Sequence, residues 1–270
     1  MNWREKLLNA THQNNSLLCV GLDTDIGKIP KFLLDTSKHP MYDFNKAVVE
    51  ATKDLVCAYK LNMAFYEAAG LKGMEALEKT IQVIPKDIII ILDGKRNDIG
   101  NTAQKYAQSL FETLKADAVT VNPYLGKDGV APFLEYKDKC SFILCRTSNP
   151  SAGDFQDLVV THTPLYQMVA KKIREWNTHE NCGAVVGATY PEELKTVRAI
   201  LGESIPILIP GIGKQGGDVE QTVLNGANSK KEMALINSSR EIIFAGDKPD
   251  FAEQSRRKAE AVRDEINKYR

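Results

Sequence analysis

Ile88-Ile-Ile-Ile-Leu92 runs directly into Asp93-Gly-Lys95-Arg-Asn-Asp98. Five consecutive apolar residues, four of them β-branched, predict a strand buried on both faces, the signature of a parallel sheet. Ionisable residues placed where such a strand ends are costly unless they are paired or used. Side chains alternate faces along a strand, so Asp93 and Lys95 are expected to point the same way, with Asp98 in the following turn. That sets an anion, a cation and a second anion at the carboxyl edge of a strand, where α/β proteins collect ligands and chemistry.

The same alternation of apolar strand and amphipathic helix extends in both directions. Strands are predicted over 17–23, 55–61, 87–93, 118–122, 141–146, 183–188, 206–209 and 233–237. Helical patterns fall near 42–53, 72–83, 102–115, 129–136, 164–177, 191–201 and 219–225, and a last helix is predicted over 251–269. In that last helix Ala259, Val262, Ile266 and Tyr269 share a face and Glu253 can pair with Arg257, as expected of a cover on the barrel wall. Eight β–α units in 270 residues fit a (β/α)8 TIM barrel, here with an extra helix ahead of the first strand. A doubly wound open sheet would carry G-x-G-x-x-G in its first turn, and Gly21-Leu-Asp23-Thr lacks it. Linkers, repeats and low-complexity tracts are absent, so residues 1–270 read as a single domain.

Lys and Arg together number 35, as do Asp and Glu, for a net charge of zero. This balance argues against a nucleic-acid or membrane surface, both of which favour a basic excess. Charges in Met1-Asn-Trp-Arg-Glu-Lys6 stand where a signal peptide needs an apolar core, so the expected location is the cytoplasm. The five cysteines, Cys19, Cys57, Cys140, Cys145 and Cys182, form no C-x-x-C pair and read as small core residues. His12, His39, His162 and His179 show no zinc-site spacing, and no metal is expected.

Polar residues recur at the predicted strand ends: Asp23, Lys60 with Asn62, Asp93 with Lys95, Asn122, Ser148 and Arg240. Barrel closure would bring these ends to one mouth. Lys60 would stand beside Asp93, and two lysines and two carboxylates would alternate in sign, keeping each lysine protonated. Taken singly, each charge is an ordinary solvated loop residue; it is the recurrence at adjacent strand ends that points to a site. Gly211-Ile-Gly213-Lys-Gln215, followed by Arg240, falls after the seventh and eighth strands, where barrels frequently hold phosphate. Arg146-Thr-Ser148-Asn-Pro150 through Asp154 reads as a surface loop able to serve as a lid, and Asn122-Pro-Tyr124-Leu-Gly126 as a turn or pocket wall.

Asp93-x-Lys95-x-x-Asp98-Ile-Gly100-x-Thr102 resembles the signature of the orotidine 5′-phosphate decarboxylase family. The resemblance spans the chain, through Gly21-Leu-Asp23, Tyr59-Lys60-Leu-Asn62, Val121-Asn-Pro-Tyr-Leu-Gly126, Arg146-Thr-Ser-Asn-Pro150, Pro210-Gly-Ile-Gly213 with Gln215, and Asn237-Ser-Ser-Arg240. It is to the longer bacterial branch. The D-x-K-x-x-D element alone is shared with sugar-phosphate decarboxylases and synthases; the serine loop, glutamine and arginine narrow it. Departures are confined to Gly94, Asn97 and the charged segment 225–232, none at a position given a role.

The resemblance implies a cofactor-free barrel enzyme that converts orotidine 5′-monophosphate to UMP and CO2, the last step of de novo pyrimidine nucleotide synthesis. It implies a homodimer in which Asp98 and Thr102 reach the partner's site. Asp23 and Lys60 would hold ribose hydroxyls, Ser148 would read the pyrimidine, and Gln215 and Arg240 would take the phosphate. Lys95 would protonate C6 beside Asp93. Three other readings compete: a Schiff-base aldolase, revealed by borohydride trapping; a magnesium-dependent sugar-phosphate enzyme, revealed by chelator inhibition; and a silent nucleotide-binding module, which would bind UMP without turnover.

Overall fold

A computed structural model of the chain describes residues 1–212 and 217–270. Eight parallel strands close into a barrel: β1 (Leu18–Gly21), β2 (Ala58–Asn62), β3 (Ile89–Arg96), β4 (Ala118–Val121), β5 (Cys140–Arg146), β6 (Cys182–Val186), β7 (Ile207–Pro210) and β8 (Ala234–Ser238). Each strand pairs with its neighbours in sequence, and β1 pairs with β8 to complete the ring. A (β/α)8 barrel with an additional N-terminal helix is therefore the observed fold, as the strand pattern predicts.

Pleating divides the apolar residues into two layers. Ile89 and Ile91 turn inward with Ala118, Phe142, Leu208 and Leu235, while Ile88, Ile90 and Leu92 pack outward with the surrounding helices. That is why the run around β3 has no polar face. The helix Trp3–Gln13 begins with a capping box between Asn2 and Glu5, and its Trp3 and Leu7 join the interior layer. Lys6 Nζ lies 2.6 Å from Asp117 Oδ2, and that carboxylate also accepts from the Ile90 backbone N–H at 2.9 Å. The helix thus closes the barrel at the starts of its strands and leaves the carboxyl ends open for a site.

Several local features differ from the sequence pattern. β3 does not stop at Asp93 but continues to Arg96 through a bulge. The helix expected over 102–115 is Gly100–Gln108 followed by a π-helical turn, Ser109–Thr113. Two short helices, Lys31–Thr36 and Met63–Ala68, fill segments with too few residues to show helical periodicity. Asn62 caps the second of these, accepting from the Ala64 N–H at 3.3 Å. The loop after β5 contains a small antiparallel pair, Val159–Val160 with Thr163–Pro164. In the final helix, Phe251–Asn267, Ala259 and Ile266 are buried and Arg257 pairs with Glu253 at 2.5 Å, as the spacing predicts.

Candidate active site

The carboxyl ends of β1, β2 and β3 bring four charged side chains into one line. Lys60 Nζ lies 3.0 Å from Asp93 Oδ2 and 3.4 Å from Asp23 Oδ1. Lys95 Nζ lies 2.7 Å from Asp93 Oδ1. Charges alternate Asp23, Lys60, Asp93, Lys95, in the order expected from the sequence. Burial is graded along the line. Only 5% of the Lys60 side chain is accessible, whereas 47% of Lys95 is, so the terminal ammonium faces the opening.

Burial disfavours the ammonium form of Lys60, and the carboxylates of Asp23 and Asp93 outweigh it, raising its pKa above the ordinary lysine value. Burial likewise opposes ionisation of Asp93. Lys60 and Lys95 overcome it with help from Thr120, and hold the Asp93 carboxyl well below the usual range. Both groups are therefore charged at neutral pH. Each removes the desolvation cost of the other, which is the condition for keeping ions in a barrel interior.

This line of charges borders a cavity of about 440 Å³ that Asn62, Ser148 and Asn237 also help to line. Asp23, Lys60, Asn62, Asp93, Lys95 and Ser148, picked out from strand ends, thus share one cavity. Asn122 does not line it. Its side chain accepts from the Tyr124 N–H at 3.0 Å and borders a neighbouring cavity of about 620 Å³ with Tyr124, Phe155 and Leu165. That cavity adjoins the charged one, the two sharing Leu144 and Gln156 in their walls. Asp98 accepts from the Ile99 N–H at 2.8 Å, and Thr102 is exposed on the helix Gly100–Gln108; neither lines the charged cavity. Arg240 is exposed at the start of the short helix Arg240–Ile243. Gly211 follows β7 with φ +105°, which L side chains rarely adopt. Gly213 and Gln215 lie outside the described residues.

Sequence reading missed three supports. Thr120 lies on the inward face of β4 beneath Asp93, its hydroxyl donating to Asp93 Oδ1 at 2.8 Å. Its one signal is its place two residues after the inward-facing Ala118. Behind Asp23, the buried residues Thr24, Asn45, Tyr66 and Thr80 form a hydrogen-bonded set, with Tyr66 donating to the Leu22 carbonyl at 3.0 Å. The loop carrying Ser148 is fastened at both ends. Arg146, 2% exposed, forms a two-pronged pair with Asp157 at 2.8 and 2.9 Å beneath the Tyr190 ring, and the Thr147 N–H donates to Gln156 Oε1 at 2.7 Å. Nothing in the spacing announces these partners, which meet only when the loop folds back.

All five cysteines are free and buried. Burial pushes the thiols of Cys57 and Cys145 up to about 12, leaving them neutral and unreactive. Among the described residues no group of three or more His, Cys, Asp or Glu side chains is placed to hold a metal ion, and no helix is long and apolar enough to cross a membrane.

A closed parallel barrel with an ionised cluster at the carboxyl ends of its strands belongs to the class of (β/α)8 barrel enzymes. Residues 16–254 match the model of the orotidine 5′-phosphate decarboxylase / HUMPS family, and the chain belongs to that family. Orotidine 5′-phosphate decarboxylase from Dehalococcoides mccartyi is 47% identical over 274 residues, covering 100% of this chain and 99% of the relative. The Cellvibrio japonicus protein of the same name is 47% identical over 272 residues, covering 99% of this chain and 98% of that one. Among solved structures, Leishmania donovani OMP decarboxylase superposes with a TM-score of 0.82 at 36% identity, over 97% of this chain and 99% of that one.

Proposed function

We propose that this chain decarboxylates orotidine 5′-monophosphate to UMP and CO2, without a cofactor, as the final step of UMP synthesis. The observation that carries the proposal is the alternating line Asp23, Lys60, Asp93, Lys95, buried at one end and open at the other. The C6–carboxylate bond breaks with its electron pair remaining on C6, a centre with poor resonance stabilisation. Lys95 is the accessible cation of the line. Its ammonium stabilises that charge and then delivers a proton to C6, leaving a neutral amine that solvent reprotonates. Asp93 holds Lys95 in place at 2.7 Å, and its negative charge opposes the substrate carboxylate until CO2 departs. A lysine flanked by carboxylates is a poor Schiff-base nucleophile, which disfavours the aldolase reading.

Asp23 and Lys60 would bind the ribose hydroxyls, Asn62 would shape the pocket and Asn122 the cavity adjoining it, and Ser148 would meet the pyrimidine edge. Gly211, Gly213, Gln215 and Arg240 would grip the phosphate, whose binding energy can drive closure far from the reacting bond. Asp98 and Thr102, outside the cavity of one chain, would complete the site of a second copy in a homodimer. The whole chain would act as one domain. The direct test follows the absorbance of orotidine 5′-monophosphate on mixing with the protein, with and without EDTA. Loss of substrate absorbance unaffected by chelator supports the proposal; no loss, or loss abolished by chelator, rejects it.

A further inference from the structure

We infer that Thr120 is a positioning residue for the decarboxylation, its single hydroxyl holding the β3 bulge that turns Lys95 towards the cavity. The inference rests on the function proposed above. Leu92 pairs with Val119 and Arg96 with Val121, so three residues of β3, Asp93, Gly94 and Lys95, stand opposite Thr120 alone. Simple alternation does not produce this geometry. Lys95 adopts φ +46°, a left-handed conformation that costs a side-chain-bearing residue about 1–2 kcal/mol and persists only where surroundings enforce it.

The enforcing contact is on β4. Lys95 N–H donates to Thr120 Oγ1 at 2.9 Å, in place of a regular ladder bond. Because that N–H must donate, the Thr120 hydroxyl proton is free to point elsewhere, and it points to Asp93 Oδ1 at 2.8 Å. The same oxygen of Asp93 receives Lys95 Nζ at 2.7 Å. One hydroxyl therefore fixes both the backbone of Lys95 and the carboxylate that orients its ammonium. Valine has the same shape as threonine and can do neither.

The test compares wild type, Thr120→Val and Thr120→Ser in steady-state turnover of orotidine 5′-monophosphate, with sites counted by UMP titration. Displacing the proton donor by about 1 Å is expected to lower kcat of Thr120→Val about 100-fold. KM and UMP affinity should stay within about threefold, because the groups assigned to the ribose and phosphate are untouched. Thr120→Ser, which keeps the hydroxyl, should recover most of the loss. A crystal structure of Thr120→Val should show Lys95 out of the left-handed region or its Nζ away from Asp93. Near-wild-type kcat in Thr120→Val, failure of Thr120→Ser to recover, or an unchanged bulge would overturn the inference. If Thr120→Val does not fold, Thr120→Ala, which likewise has no donor or acceptor, carries the same comparison. Wild type inactive on this substrate would instead defeat the functional proposal, and the variant's crystal structure would then decide the role of Thr120.

Discussion

Replacing Lys95 by alanine separates chemistry from binding and stability in this site. Lys95 sits at the open end of the charged line, with 47% of its side chain accessible. Its pair with Asp93 is solvent-screened and contributes about 1 kcal/mol or less to stability. Asp93 would keep Lys60 at 3.0 Å and Thr120 at 2.8 Å, so the carboxylate remains bonded and the fold intact. The effect on rate is of another size. A positioned general acid contributes about 10²–10⁴-fold, and a charge aimed at a developing anion about 10²–10³-fold. The two roles share one ammonium and do not multiply freely, so the loss is expected near the upper end of the larger range, about 10⁴-fold. At about 1.36 kcal/mol per decade this is roughly 5.4 kcal/mol of transition-state stabilisation. Lys95→Ala should therefore lower kcat by about 10⁴-fold while UMP binding, measured by titration calorimetry, changes by less than about tenfold. A folded Lys95→Ala protein with kcat within tenfold of wild type would refute the assignment of the proton to this residue.

The remaining predictions concern the buried end of the line and the phosphate. Lys60→Met leaves Asp23 and Asp93 facing each other without their shared cation; breaking such a buried pair costs about 3–5 kcal/mol. At about 2–4 °C per kcal/mol, Tm should fall roughly 6–20 °C, and a fall under about 2 °C in a thermal scan would contradict the pairing. Asp93, whose folded pKa is depressed below the unfolded value of about 3.9, contributes stability that is present above that pH and fades as pH falls through the folded value. Asp93→Asn should accordingly flatten the acid limb of the stability profile below about pH 4 in denaturant titrations; an unchanged slope there would show that Asp93 is not the group responsible. Arg240→Ala should weaken binding of the phosphorylated nucleotide by about 1.5–3 kcal/mol, seen as a roughly 10- to 150-fold loss in kcat/KM, with orotidine lacking the phosphate unaffected. Equal losses on both substrates would place Arg240 elsewhere in the mechanism.

Much of this protein is legible along one dimension. The Ile88–Leu92 run has no polar face because both faces of β3 are covered, and that lack is visible without coordinates. Asp93 and Lys60 could be placed at neighbouring strand ends because sequential strands pair in a parallel barrel, and Asn62 does stand opposite Asp93 in the β2–β3 register. Simple alternation predicts Lys95 beside Asp93; the two do meet, by way of a bulge and a left-handed residue instead.

Periodicity in a chain reports which way each residue faces relative to its own backbone, a short-range property set by the pleat of a strand or the pitch of a helix. From it came the barrel class, the burial of β3 on both faces and the acidic and basic ends of β1 to β3. Which side chains meet is set at longer range, by strand register, ring closure and the paths of loops. Asp157 reaches Arg146 because a loop folds back, Asn122 borders an adjoining cavity with its side chain bonded to the Tyr124 N–H, and Thr120 lies under Asp93 because β3 holds two more residues than β4 between shared pairs. Those contacts depend on distances between segments far apart in the chain, and three-dimensional packing alone fixes them.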